Sequence, residues 1–390
     1  MITYPIGGRV HWVDALRGFA VLGLLLVHQS EYFELYWLDA QPSAVKDWVF
    51  ALFAGKAFAL LALCFGLSFY VQGASARGRS EAFAPRFAWR LILLALIGTL
   101  HGIIYRGDII VVLAVLGFAL IPLDRIRSPR WLLAIAIICF AQPMLLARIA
   151  SGLMGGAWGL SQPGFFDDPS LRENLLGSLW ATTTSNAGPG QLSKWSFYIE
   201  SGRCFQIVGL FIVGSLMGRA GFFARAENSN GGAIKWAAIS AIALAALTYL
   251  EASLPQDMGP QFYTAWLVGT WVDLAGTSLS LWLVVILWNS AGRRLLGALV
   301  PAGRMSLTLY LSQSLLLVPF FYPYGAGAHA WVGQGPSVAI GIAVFAVQLV
   351  FAHWWFTHYR YGPVEWLWRA ATKLDFRLPN KRSVNNLSGT

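Results

Sequence analysis

Val13-Asp14-Ala15-Leu16-Arg17-Gly18-Phe19-Ala20-Val21-Leu22-Gly23-Leu24-Leu25-Leu26-Val27-His28-Gln29-Ser30 is the stretch on which the fold turns. A helix that crosses the hydrocarbon of a bilayer needs roughly 20 mostly apolar residues. This stretch meets that length, with its ionisable groups set towards its two ends. The run from Phe19 to Val27 leads into His28-Gln29-Ser30-Glu31. Those are not the small residues of a cleavage site, so the run reads as a retained first helix and not as a signal peptide.

The rest of the chain extends the pattern. Of 390 residues, 57% are hydrophobic and 12% are charged, about half the charged share of an ordinary soluble domain. Segments 13–30, 48–71, 87–105, 109–123, 131–149, 204–221, 233–252, 265–289, 305–322 and 337–357 each read as a span. The 18 Trp, 25 Phe and 13 Tyr often flank these runs, as in an interfacial aromatic belt. The expected fold is an all-α polytopic membrane protein of about ten transmembrane helices. It forms a single transmembrane domain over 1–390, with both termini cytoplasmic, a long outer loop at about 150–203 and a cytoplasmic tail at about 358–390.

Charge supports that topology. With the N-terminus inside and the spans alternating, most of the 28 basic residues fall on the cytoplasmic side. They include Arg9 and Arg17, Arg77 to Arg90, Arg125 to Arg130, Arg219 to Lys235, Arg293 to Arg304, and the tail from Arg360 to Arg382. Glu31, Glu34, Asp108, Asp167, Asp168, Glu173 and Glu200 lie on the outer side. The net charge of +10 therefore reads as membrane orientation and contact with anionic lipid, with no nucleic-acid partner. Cys64, Cys139 and Cys204 have no zinc or redox spacing, and no metal site is expected. The Asn386-Leu387-Ser388 sequon falls in the cytoplasmic tail and is read as chance. The outer loop carries Trp158, Phe165, Phe166, Trp180 and Trp195. It reads as a lid packed at the membrane surface, because loops this long are often functional elements.

Ionisable residues inside spans are costly and need a reason. Arg17 and His28 lie eleven residues apart, close to three helical turns. They therefore share one face, roughly 16 Å apart. An Arg fork suits phosphate, and a neutral imidazole suits general-base work. Asp14 and Arg17 also have the spacing of a simple intrahelical pair. His101 and Asp108 bracket a short outer connection with Arg106 between them. Asp108 is placed either to orient a His or to pair with Arg106. Lys56 either neutralises an anion or snorkels to the interface. Asp273 needs a basic partner in the bundle, and Ser312 and Gln313 are set to hydrogen-bond between helices. Gly303-Arg304-Met305-Ser306 opens a helix on the cytoplasmic side, where its N-terminus and Arg304 form either an anion site or a topological anchor.

Asp14-Ala15-Leu16-Arg17-Gly18-Phe19-Ala20-Val21, followed by His28, resembles the first helix of acyltransferase family 3 membrane proteins. Its Asp-x-x-Arg-Gly start is similar to the heparan-α-glucosaminide N-acetyltransferase group. Four further stretches look like the YeiB-like bacterial membrane proteins. They are Gly55-Lys56 through Leu63-Cys64-Phe65-Gly66; Leu100-His101-Gly102 with Gly107-Asp108-Ile109; Gly303-Arg304-Met305-Ser306-Leu307-Thr308 with Tyr310-Leu311-Ser312-Gln313-Ser314; and Gly362-Pro363-Val364-Glu365-Trp366-Leu367-Trp368-Arg369. YeiB-like proteins often carry Asn where this chain has His28.

The resemblance implies transmembrane acyl transfer in a bacterial inner membrane. Acyl-CoA, in particular acetyl-CoA, would be the cytoplasmic donor substrate, held by Arg17, Asp14, Lys56 and Arg304. His28, with His101 and Asp108, would act on an outer-side hydroxyl or amine of a glycan, a lipid-linked saccharide or a small molecule. Two other readings compete. A secondary transporter would cluster its charges at the midplane, and a non-catalytic membrane protein would tolerate loss of His28. The Gly-rich helices allow close packing or a homodimer.

Overall fold

In lipid, each backbone N–H and C=O must find its partner inside the segment, and helices achieve this alone. The computed structural model describes residues 10–166, 172, 174–226, 230–255 and 257–381. Among the described residues there is no β-strand, only an isolated bridge between Tyr359 and Lys381. Arg9, Asp167, Asp168, Glu173, Arg382 and the Asn386 sequon lie outside the described residues.

The principal helices are α1 (His11–Ser30), α2 (Ala44–Phe53), α3 (Lys56–Gly78), α4 (Phe83–Ile104), α5 (Ile110–Gly117), α6 (Pro129–Phe140), α7 (Pro143–Leu153), α8 (Leu179–Ala187), α9 (Pro189–Glu200), α10 (Arg203–Arg219), α11 (Gly231–Ser253), α12 (Pro260–Trp288), α13 (Val300–Arg304), α14 (Ser306–Phe321), α15 (Gln334–His358) and α16 (Pro363–Lys373). Six helical segments are long and apolar enough to cross a membrane, and the number is eight if the bent pairs α6–α7 (45°) and α9–α10 (65°) each make one span. The other two expected segments fall on α5 and α14, which have 8 and 16 residues. Every expected segment is thus helical, and the chain is a polytopic helical membrane protein.

The helix that opened the sequence reading sits at the centre. In the apolar window of α1, 67% of residues are buried, against 17% for α11. So α1 is wrapped by protein, whereas α11 faces outwards. Its closest neighbour is α13. A Cβ on Gly18 would strike the Leu299 carbonyl, and one on Gly303 would strike the Asp14 carbonyl. Two glycines therefore let the backbones of α1 and the α13 region touch, the small-residue packing that membrane helices use.

The breaks in the spans are held by protein. Gln142, at φ 60°, precedes Pro143 at the start of α7, and Gly202, at φ 73°, precedes α10. The fully buried Gln142 side chain packs on Gly202, so the two breaks meet. Trp271 Nε1 donates to the Phe140 carbonyl at 2.8 Å, satisfying an acceptor at the end of α6. Lys56 opens α3 at a third break and pairs with Asp273 of α12 at 3.3 Å. Asp273 therefore has its basic partner. Lys56 is buried and directs its charge to this partner inside the bundle.

Gln313 donates to Gln348 at 2.9 Å, and Gln348 donates to Ser312 at 2.9 Å, giving the interhelical bonds expected. The N-terminus of α14 is not open to an external anion. The Glu365 carboxylate accepts from the backbone N–H groups of Leu307 (2.8 Å) and Thr308 (3.1 Å) and from the Thr308 hydroxyl (2.6 Å). A carboxylate at a helix start fills the place an anion would take, so the helix-start anion site expected beside Arg304 is already occupied by the chain itself.

Candidate active site

The two ends of α1 build two separate sites. At the first, Arg17 Nη1 donates to Asp14 at 3.0 Å, and Arg17 Nη2 donates to Ser68 of α3 at 2.6 Å. Arg17 keeps a quarter of its side chain exposed while Asp14 is buried. Arg304 belongs to this end through the Gly18–Gly303 contact. Its guanidinium lies over the Phe356 ring at 3.7 Å and reaches the Arg360 carbonyl at 3.4 Å. Lys56 does not join this group. It lies twelve residues along α3 from Ser68, roughly 18 Å at helical rise. The four expected donor residues are therefore three at one end and one elsewhere.

At the other end, His28 Nδ1 lies 2.9 Å from the Tyr105 hydroxyl, with the Phe33 ring stacked on its imidazole at 5.6 Å. Tyr32, Phe33 and Glu34 follow at φ 49°, 53° and 82°. Three successive non-glycine residues in the left-handed region carry strain of about 1–3 kcal/mol each, as found where a site imposes its geometry. The turn is held by Phe33 N–H on the His28 carbonyl (2.7 Å) and by the Tyr322 hydroxyl on the Phe33 carbonyl (3.0 Å). It directs Glu34 onto Arg106 at 3.0 Å. Nothing in the sequence announces it, because no glycine or asparagine marks the positions.

Behind Tyr105 lies the pair that the His101–Asp108 spacing anticipated. His101 Nδ1 is 2.7 Å from Asp108 Oδ1, and the Val111 backbone N–H donates to Asp108 Oδ2 at 3.0 Å. Both side chains are buried. A carboxylate can only accept, so Nδ1 carries a proton, and in the neutral imidazole Nε2 then presents its lone pair. That Nε2 is buried and has no hydrogen-bond partner. Asp108 pairs with His101, and Arg106 with Glu34, so the alternative Asp108–Arg106 pair does not form.

The loop of 150–203 supplies a residue that sequence reasoning missed. Its helices α8 and α9 dock on the C-terminal end of α4, where Asn186 Nδ2 donates to the Ile103 carbonyl at 3.0 Å. Lys194 of α9 is 5% exposed, and its Nζ is buried without a hydrogen-bond partner. It lies 3.8 Å from where a Cβ on Gly102 would sit. His101 Nε2 and Lys194 Nζ are thus both buried nitrogens without a hydrogen-bond partner. An unpaired buried polar group is costly to keep. The signal in the sequence was a single Lys in an otherwise uncharged stretch of that loop.

Arg148, 1% exposed, pins the same loop through Glu200 and the carbonyls of Trp158 (3.2 Å), Ser161 (3.2 Å) and Gln162 (3.1 Å). Cys64 and Cys139 are buried and all three cysteines are free.

The sequence comparisons match two stretches of the chain. Residues 9–168, which hold Arg17, His28, His101 and Asp108, match the family model described as heparan-alpha-glucosaminide N-acetyltransferase, catalytic. Residues 217–375 match a protein of unknown function, DUF418. The uncharacterized protein YxaH of Bacillus subtilis (strain 168) is 29% identical over 95% of this chain and 95% of its own length. An uncharacterized 39.9 kDa protein from the amylase 3′ region of Bacillus acidopullulyticus is 23% identical over 93% and 94%. The uncharacterized protein YeiB of Escherichia coli (strain K12) is 26% identical over 92% and 95%. The chain is thus similar to YeiB over nearly its whole length, and its first part is similar to the catalytic region of the heparan-alpha-glucosaminide N-acetyltransferase family.

Proposed function

We propose that this protein transfers an acyl group, acetyl in the first instance, from cytoplasmic acyl-CoA to an acceptor hydroxyl or amine on the outer side of a bacterial inner membrane. The reading takes all ten helical segments as spans, with both termini cytoplasmic and 150–203 as an outer lid. It rests above all on one observation: a buried His101, oriented by Asp108, whose Nε2 has no partner.

That pair has the arrangement of a general base and its orienting carboxylate. His101 Nε2 takes the acceptor proton while the acceptor oxygen or nitrogen bonds to the thioester carbonyl carbon. The carbon–sulfur bond then breaks, the thiolate leaves, and it is protonated to free CoA. His28, held by Tyr105, lies at the more open rim and receives the acceptor. Lys194 places positive charge where the carbonyl oxygen becomes an oxyanion. Arg17, still partly exposed at the opposite end, is the group for the donor phosphates.

The test is release of CoA thiol from acetyl-CoA by purified protein in proteoliposomes, with a panel of amino sugars and simple alcohols on the far side. Wild type should release thiol in an acceptor-dependent way, and Asp108→Asn should lose about 100-fold or more. No release by wild type with acetyl-CoA or longer acyl-CoAs refutes the reading. Lys56–Asp273, with Arg203 at 3.9 Å from Asp273, favours a second reading, a secondary transporter with charges at a helix break. Solute counterflow in the same proteoliposomes without CoA would support it.

A further inference from the structure

The α3–α4 turn and the C-terminal helix α16 enclose a cleft of about 780 Å³, lined by Arg79, Glu81, Arg86, Arg369, Thr372, Lys373, Leu374 and Asp375. Neither donor chemistry nor acceptor chemistry uses it. Its size falls within the range of small-molecule sites, about 300–1,000 Å³. Its charge is unbalanced, with four cationic side chains against two carboxylates. One of those carboxylates is already committed. Glu81 accepts from Arg79 at 3.0 and 3.2 Å and from Arg86, and the Arg79 hydrogen bonds hold its carboxyl below its usual range.

Arg369 faces Tyr361 with its guanidinium 4.7 Å from the ring centroid, and its Nε is buried without a hydrogen-bond partner. Arg90 lies beside it, over Trp368 at 4.1 Å. Like charges gathered this closely repel unless an anion lies among them. The scaffold is fixed, since Trp368 Nε1 donates to the Arg90 carbonyl at 3.0 Å and Trp89 Nε1 donates to the Ala371 carbonyl at 3.2 Å.

The surroundings identify the anion. Trp89 of α4, Leu367 of the amphipathic α16, and Leu374 and Phe376 just after it are exposed near the cleft, at the end of the bundle that carries Arg77 and Arg219. Apolar side chains flanking a basic recess match the boundary between acyl chains and headgroups. We propose that this cleft binds the phosphate of an anionic phospholipid headgroup, with Arg86, Arg369 and Lys373 as the contacting cations and the exposed apolar residues against the acyl chains. The site is independent of the acyl-transfer reading.

The experiment uses the full chain, extracted in neutral detergent and titrated with phosphatidylglycerol, cardiolipin or phosphatidylcholine, with bound lipid counted by native mass spectrometry. Wild type should retain the anionic lipids over phosphatidylcholine. Arg86→Gln with Lys373→Gln, both exposed positions, should lower that retention about tenfold or more. Arg125→Gln with Arg127→Gln, in the turn after α5, should leave it unchanged. Thermal unfolding of each variant without lipid separates lost binding from lost fold, and Arg369→Lys gives a second variant that keeps the charge. Equal retention by the cleft variant overturns the proposal, as does an equal loss in the Arg125/Arg127 control, which would mark diffuse attraction. Displacement of the lipid by inorganic phosphate or CoA would also overturn it, because the recess would then serve a soluble phosphate.

Discussion

Asp108 accepts from both His101 Nδ1 and the Val111 backbone N–H, so its removal affects chemistry and fold by separate routes. Asp108→Asn keeps the shape but leaves one former donor facing an N–H. A loss of about 1–3 kcal/mol of stability is expected from the unsatisfied buried group, alongside the loss of transfer. Lys194 predicts the opposite combination. Its buried, unpaired ammonium is a burden on the fold, so Lys194→Met should raise the melting temperature by a few degrees, about 1 kcal/mol or more. The same change should lower turnover without altering acyl-CoA binding. A variant that loses both stability and turnover would make Lys194 structural. Of this site, the His101–Asp108 pair was legible because seven residues separate the two around a short turn. The Tyr105–His28 bond and the left-handed turn at Tyr32–Glu34 were not, because both depend on tertiary contacts between distant segments.

At the scale of helices, the breaks carry the information. The sequence marks Pro143 and Gly202 but does not tell that they meet, with Gln142 folded against Gly202. Lys56 and Asp273 were each legible as a charge in a span. Their pairing, 217 residues apart in the numbering, was open until α3 and α12 were packed. Asp273→Asn should destabilise the protein by about 3–5 kcal/mol by leaving a buried Lys without its partner, and Lys56→Met in the same chain should restore most of the loss. Thermal unfolding of the two single variants and the double variant measures this, and additive losses would show that the pair is not coupled. Gly303→Val should also unfold early, by about 1–3 kcal/mol or more, because its side chain meets the Asp14 backbone of α1 with no room to move.

For the whole molecule, periodicity was uninformative and apolar length was decisive. A bundle surrounded by lipid has no polar face to set against an apolar one, so composition located the apolar helices, while α8, α9 and α16 and the packing order stayed hidden. The arrangement still follows a simple logic: α1, with the most buried apolar window of the six long spans, carries polar groups near both ends, and the other helices enclose it. Arg77, Asp124 and Arg219 meet at one end, with Arg77 at 3.1 Å and Arg219 at 3.8 Å from Asp124. The ends of α3 and α10 and the segment between α5 and α6 therefore lie on one side of the bundle. Cysteine labelling from either side of sealed vesicles should find residues 125–127 and 377 accessible together, and residue 192 accessible from the opposite side.

The central claim is that one end of α1 holds an acyl donor and the other end carries out the transfer. The measurement that tests it most directly is calorimetric titration of purified protein with acetyl-CoA for wild type, Arg17→Ala, His28→Ala and Asp108→Asn. The account predicts binding by wild type, loss of about tenfold or more on removing the Arg17 charge-assisted contacts, and unchanged affinity in His28→Ala and Asp108→Asn. Absence of binding by wild type to acetyl-CoA and to longer acyl-CoAs, or equal affinity after Arg17→Ala, would contradict it.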